Sequence, residues 1–444
     1  MAGRAKSLLA EIYQAAVRAA QPSVLLQRQI KISAHALTAE NERGHYRFPL
    51  TGKVYLVGVG KGADTSAPFW TELLGDKLAH GIFLVRDRLC RERLERISIL
   101  VGGHPLPDRR GLTGTGRILE MLRGARPEDC VIFCLMGGAS SLMVRPAAGL
   151  TLADKSAVTD ALLKSGMTIA EINCVRKHLS GVKAGGLLRA AYPASVVTLA
   201  ISDVIGDDPA VIGSAPSTHD PTTFKDAWHI LQRYHLLGKI PTKVKSYLLR
   251  GARGEFPETL KAGSALSARS PFLLLANNKD ALSAAKSKAQ ALGFAVTVLA
   301  TDLSGDSRGQ AKKIGSQLKS FSSGKTNRRR PHCVLVGGET TVQVRGKGLG
   351  GRNQEFALAS ATELRGCPGI YLLSAGSDGS DGSTDAAGAF ADGDTFRRAR
   401  SLGLDPYQAL RDNDSYPLFN RLGDLFRPGP TGTNVLDFII ALKY

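Results

Sequence analysis

Short Val/Ile/Leu runs that stop at glycine or aspartate and give way to helical spacing recur along this chain. They are clearest in "KVYLVGVGKG", "HGIFLVRD", "RISILVGGHPLPD", "DCVIFCLMGGASSLM" and "SVVTLAISDVIGDD". A strand that is apolar on both faces and followed by a helix belongs in a parallel α/β sheet covered on both sides. In open sheets of this kind, ligands bind beyond the C-terminal strand ends. The glycine-rich and polar residues of this chain fall at those ends, so the functional residues are sought there.

At 444 residues the chain exceeds what one small core organises, and two domains are expected. A second series opens near "PFLLLANNKD" and runs through "GFAVTVLATD", "HCVLVGGET", "GIYLLSAGSDG" and "NVLDFIIAL". A hairpin at "TTVQVRGKGLGG" would make that second sheet mixed. The boundary is placed near residue 240, giving domains 1–240 and 241–444, with the initial helix able to pack on either. "KSFSSGKTNRRRPH" reads as an exposed connection. No 18-residue apolar run suggests a membrane span, and the first 22 residues have the spacing of an ordinary helix rather than a signal core. The expected compartment is the cytoplasm.

Six cysteines lack compact metal-ligand spacing, and several sit in apolar strand segments, as buried free thiols would. The formal charge of +19 raises the question of nucleic acid. Residues 331–444 carry 11 Lys/Arg against 13 Asp/Glu, so the excess lies in the first 330 residues. There it is scattered, with no aromatic interleaving. Such charge could concentrate polyanionic metabolites, and a solvated basic surface is expected at least as much as a nucleic-acid footprint.

"VGVGKGADTSA" is neither a GxxxxGK[ST] loop nor a full GxGxxG signature. Gly58, Gly60 and Gly62 let backbone approach a ligand, and Lys61 among them suits phosphate or carboxylate; a surface lysine is the plain alternative. His104 in "VGGHPLPD" reads as substrate-orienting or as a loop histidine, and Asp108 as a helix cap. In "LMGGASSLM", Gly137, Gly138, Ser140 and Ser141 offer donors to an oxyanion, but G-x-S-x-G is absent. "EINCVRKHLSGVKAGGL" supplies Arg176, Lys177 and Lys183 for a small acid or phosphate, or else a solvated helix face. Asp203 in "ISDVIGDDP" suits a hydroxyl nucleophile or hydrated magnesium.

In the C-terminal half, Arg352 in "GGRNQEFAL" gives a planar fork for carboxylate or phosphate, next to Asn353. Glu339 reads as a metal-shell acid, a base or a turn acid. "GSDGSDGSTDAAGA" carries Asp378, Asp381 and Asp385 without EF-hand spacing, and is placed at a ligand-facing strand end.

Taken in order, "VGVGKGA", "GGHPLPD", "MGGASSLM", "NCVRKHLSGVKAGG", "SDVIGDDP", "GGETTV", "GGRNQEFAL", "SAGSDGSDGSTDAAGA" and "TGTNV" resemble the type II, 2-phosphoglycerate-forming D-glycerate kinases of the MOFRL family. The motif that names the family is spelled "LDFIIAL" here. The resemblance covers nearly the whole chain. It implies a Rossmann-like α/β/α N-terminal domain, a smaller mixed-sheet α/β C-terminal domain, and an active site between them. It implies ATP-dependent phosphorylation of the C2 hydroxyl of D-glycerate, with Mg2+ bridging phosphate oxygens. Lys61 and Arg352 are the expected electrostatic catalysts, with Asp203 assisting. Gly60, Gly62, Gly137, Gly138, Ser140, Ser141 and Lys177 are expected at nucleotide or acid, with Asn353, Asp378 and Asn434 from the second domain. Glu339, Asp381 and Asp385 are the candidate magnesium contacts. Expected partners are D-glycerate and nucleotide, with no nucleic acid or membrane, and a homodimer as candidate assembly. The competing reading is an NAD(P)H-dependent hydroxypyruvate reductase, suggested by the glycine spacing at 58–62 and by Asp87 after a second strand.

Overall fold

The structure is a computed structural model describing residues 2–33, 35–268, 270–323 and 331–444. It divides into two compact units. One is Leu25–Leu275, and the other combines Met1–Val24 with Ala276–Tyr444.

The Leu25–Leu275 unit begins with an antiparallel sheet of β1 (Ile30–Ile32), β2 (Ala36–Asn41) and β3 (Gly44–Pro49). Its main sheet contains β4 (Val54–Val59), β5 (Leu78–Val85), β6 (Ile97–Val101), β7 (Cys130–Leu135), β8 (Ser195–Ile201) and β9 (Phe272–Ala276), in the order β6-β5-β4-β7-β8-β9. The pairs β4–β5, β5–β6, β4–β7 and β7–β8 are all parallel. Val57, Val59, Ile82, Leu84, Phe133 and Leu135 alternate onto one face and pack with Ile118, Leu122, Leu187 and Leu188 of helices Arg109–Leu122 and Gly186–Ala191. Strand order reverses beside β4: the chain winds outward to β6, then returns to β7. Val59 is in register with Leu135, so the loops after β4 and β7 emerge side by side at this switch point.

In the second unit the sheet contains β10 (Ala295–Asp306), β11 (His332–Thr341), β12 (Ile370–Gly376), β13 (Gly388–Asp392), β14 (Leu425–Phe426) and β15 (Asp437–Lys443). Its order is β10-β11-β15-β12-β13-β14. β10 and β11 are parallel, and the remaining pairs are antiparallel. Helix Arg352–Glu363 buries Phe356, Ala357 and Leu358, and helix Ala2–Ala19 buries Leu9, Ile12, Tyr13 and Ala16. Tyr13 donates its hydroxyl to Gly376 O at 2.7 Å.

A parallel first sheet and a mixed second sheet thus match the expected α/β class. Details differ. "PFLLLA" closes the first sheet as β9 rather than opening the second, with Thr198 N–H donating to Pro271 O. The division falls at 275 rather than near 240, because helices Phe224–Arg233 and Thr242–Ala252 share a core with helix Ile169–His178. The initial helix groups with the C-terminal unit. No hairpin forms at 341–350: Asn413 Oδ1 accepts from the backbone N–H groups of Arg345 and Gly346 instead. The sheet is mixed because β15 runs antiparallel to both neighbours. Of the expected connection, residues 319–323 finish helix Ser307–Ser323, and 324–330 lie outside the described residues. Among the described residues, no helix is long and apolar enough to cross a membrane.

Candidate active site

At the switch point of the Leu25–Leu275 unit, three strand ends meet. Lys61, after β4, donates its backbone N–H to Gly137 O at 2.9 Å, after β7. Gly138 N–H donates to the Asp203 carboxylate, after β8, at 3.2 Å. Gly138 has a φ of 85°, and a side chain on it would come within 3.0 Å of the His104 imidazole and 3.5 Å of Lys61 Cε. Lys61, His104, Gly137, Gly138 and Asp203 are therefore one neighbourhood. Asp108 accepts from Gly103 N–H and Gly111 N–H, capping helix Arg109–Leu122 while holding the His104 turn.

Ser140 lies two residues beyond Gly138 and anchors a cationic group. Its hydroxyl is 2.8 Å from Ser214 Oγ and 2.9 Å from Lys183 Nζ, and Arg176 reaches it at 3.5 Å. Lys183 Nζ also donates to Ser140 O at 2.7 Å. Lys183 and Lys155 are buried, and the latter donates to Leu179 O. Burial, reinforced by the Arg176 charge, holds the Lys183 pKa well below its usual range and brings Lys155 down to about 7. Burial also lowers the Arg176 pKa. Lys177 faces elsewhere: it donates to Ala210 O and pairs with buried Asp220 at 3.2 Å, a structural contact. Ser141 N–H bonds back to Gly138 O in the same short helical turn.

In the other unit, Arg352 opens helix Arg352–Glu363. Its Nε and NH2 groups bond both oxygens of Asp437 at 2.5 and 2.9 Å, and NH1 meets Glu339 at 3.0 Å. Burial alone would lower the Arg352 pKa, but the Asp437 and Glu339 carboxylates override it and hold the guanidinium well above its usual range. Asp437 begins β15 and registers with Gly338 of β11 and Gly376 of β12, so the sheet itself brings these carboxylates to one end. Asp378 and Asp437 each keep a carboxylate oxygen 3.4 Å from the Cβ position of Gly376.

Similarity to known proteins identifies the family. Residues 332–437 match the MOFRL family, and residues 8–249 match a domain of unknown function, DUF4147. A D-glycerate 2-kinase of Thermotoga maritima is 40% identical over 88% of this chain and 90% of its own length. The chain belongs to the MOFRL-family glycerate kinases. The crystal structure of a Thermotoga maritima glycerate kinase superposes with a TM-score of 0.82 at 37% identity, covering 99% of both chains. A relative from Agrobacterium vitis, 38% identical over 98% of this chain and 93% of its own length, carries hydroxypyruvate reductase as a provisional name.

For this glycerate kinase family member, several expected site residues have a defined structural partner. Asp381 is buried and accepts the N–H groups of Asn353 and Gln354 at 3.1 and 2.9 Å, capping the Arg352 helix from a distant loop. Its pKa is pushed up to about 6, burial outweighing those two hydrogen bonds and the Arg352 charge. The Asn353 side chain is buried against Ser374 Oγ at 2.8 Å. Asp385 stands apart, accepting from Tyr416 and Arg427 at the exposed surface. Asp378 accepts from Ser380, and Asn434 Oδ1 accepts from Ser377 Oγ and Leu436 N–H at the limits of hydrogen bonding. Glu339, Asp381 and Asp385 do not converge, and among the described residues no three His, Cys, Asp or Glu side chains are grouped to hold a metal. Glu339 and Asp437 beside Arg352 are a pair of carboxylates of the kind a hydrated Mg2+ takes alongside phosphate oxygens. Reading the sequence missed Asp437, Ser214 and Lys155. A lone acid preceding five apolar residues in "LDFIIAL" was the available signal for Asp437.

Proposed function

We propose that the protein transfers the γ-phosphoryl group of ATP to the C2 hydroxyl of D-glycerate, giving 2-phospho-D-glycerate and ADP. Membership of the glycerate kinase family supports phosphorylation of glycerate. The observation that carries kinase over reductase is the state of the 58–63 loop. Gly60 N–H donates to Leu84 O, Lys61 N–H to Gly137 O and Ala63 N–H to Gly60 O. Those donors are consumed inside the fold, whereas a dinucleotide loop must offer its backbone to pyrophosphate. The Lys61 side chain runs beside Gly138, its Cε 3.5 Å from that residue's Cβ position.

In this reading Lys61 and Arg352 neutralise charge building on the transferring phosphoryl group, the largest demand such a transition state makes. Asp203 accepts from Gly138 N–H and would assist the accepting hydroxyl. Glu339 and Asp437 are the acids that would hold Mg2+, directly or through water, and the ion would supply charge neutralisation at the phosphate.

A coupled assay tests this. The expected result is D-glycerate-dependent ADP release with 2-phosphoglycerate as product, and turnover lowered about a hundredfold or more in Lys61→Ala. Oxidation of NAD(P)H by hydroxypyruvate without phosphoryl transfer would establish the reductase instead.

A further inference from the structure

Buried Lys155 and Lys183 and half-buried Arg176 form a group of basic side chains in the Leu25–Leu275 unit that its own acids do not balance. Lys177 is matched by Asp220, which is fully buried. Lys155, Arg176 and Lys183 are not matched: among the described residues, none has a carboxylate within 4 Å, and the ion pairs of this region involve Lys177, His178 and Lys261. Removing like charges from water without a counter-ion is costly, and a fold retains such a group when an anion completes it.

The polar geometry shows where the anion would sit. Lys183 donates to both oxygens of Ser140, and Ser214 Oγ lies 2.8 Å from the same hydroxyl. Lys183 engages one lone pair of Ser140 Oγ, and in the contact between Ser140 and Ser214 either hydroxyl can donate, so one of the two protons is available to an incoming oxyanion. Arg176 meets Ser140 and Asn173 only at 3.5 Å, so most of its five-donor fork remains for another oxyanion. We propose that Ser140, Arg176 and Lys183 form an oxyanion-receiving centre that takes the carboxylate of the hydroxy-acid acceptor. Gly138, whose Cβ position is 3.5 Å from Lys61 Cε, is two residues from Ser140. A carboxylate held here leaves the hydroxyl on the adjoining carbon next to the Lys61 loop. Lys155, one contact further in, adds charge rather than a direct bond.

This assignment rests on a hydroxy acid being the acceptor, as the preceding section proposes. The test uses the full chain with Arg176→Met, Arg176→Lys and Lys183→Met, measuring KM for D-glycerate and for ATP and the thermal shift given by D-glycerate alone. In Arg176→Met, KM for D-glycerate should rise about tenfold to a hundredfold, the loss of a charge-assisted hydrogen bond, with KM for ATP unchanged. Arg176→Lys should fall between it and the wild type. The ligand-free melting temperature of Arg176→Met should stay level or rise, because a buried repulsion is relieved. A structural arginine would lower it. An unchanged KM for D-glycerate overturns the proposal, as does a rise confined to the KM for ATP, which would make the anion a nucleotide phosphate. If the wild type phosphorylates no glycerate, the function proposed above fails first. The thermal shift given by simple 2-hydroxy acids then still reads the centre: a shift lost in Arg176→Met sustains it, and no wild-type shift ends it.

Discussion

Arg352 is a cation at the first residue of a helix, the end where the backbone dipole already carries positive charge. Asp437 and Glu339 make that position tenable, and Asp437 does so with both oxygens while itself almost fully buried. Removing one partner of such a pair strands the other. Asp437→Ala should therefore cost about 3 kcal/mol, read as a lowered urea midpoint, and should also reduce turnover because the guanidinium loses its aim. Asp437→Asn, which keeps the shape and one acceptor, should cost less. A midpoint equal to wild type would show that Glu339 alone suffices. At this scale the sequence reveals which side chains can do chemistry but not which of them already hold one another. Lys61 and Arg352 stood out because each is a cation among glycines. Lys177 looked equivalent to Arg176, and only packing shows that one faces Asp220 and the other Ser140.

Between residues and the fold lie the elements, and helix Arg352–Glu363 shows how a distant loop can govern one. Its N-cap, Gly351, has no side chain to cap with, and Asp381 supplies the two acceptors instead. A Cβ on Gly351 would lie 2.3 Å from Asp381 Cγ. Gly351→Ala should thus expel Asp381 and cost about 1–2 kcal/mol, the value of a lost N-cap, in a denaturation experiment. The variant should also lose a pH dependence. Folding raises the Asp381 pKa from its ordinary value of 3.8 to about 6, so its contribution to stability is full below 3.8 and disappears as pH rises through 6. Wild type should weaken across that window and the variant should not. The run of aspartates in "GSDGSDGSTD" suggested a ligand loop by composition. That Asp381 caps a helix 28 residues earlier in sequence is a tertiary fact, invisible to spacing. By contrast, the β4 and β7 strand ends were legible, since an apolar run closing on glycine reports a strand terminus whatever packs around it.

For the whole molecule, buried groups of the two units shift so as to couple stability to pH in opposite directions. Asp381 belongs to the unit of residues 1–24 and 276–444, and its raised pKa removes stability between about pH 4 and 6. Lys155 belongs to the Leu25–Leu275 unit. Folding lowers its pKa from 10.5 to about 7, so its contribution is full above 10.5 and is lost as pH falls through 7; Lys183 moves in the same direction. Near neutrality Asp381 is therefore ionised, the state its burial disfavours, while Lys155 stands at the middle of its titration. Scanning calorimetry from pH 4 to 10 should show a transition that falls through the acid window and one that rises through the alkaline window. An anion completing the Arg176 and Lys183 group would favour protonated Lys155, so saturating D-glycerate should stabilise the Leu25–Leu275 unit more at pH 7 than at pH 9. At a hundred times Kd that stabilisation is about 2.7 kcal/mol. Stabilisation growing with pH would mean that ligand binding does not call on these lysines, and would separate the buried charge from the reaction.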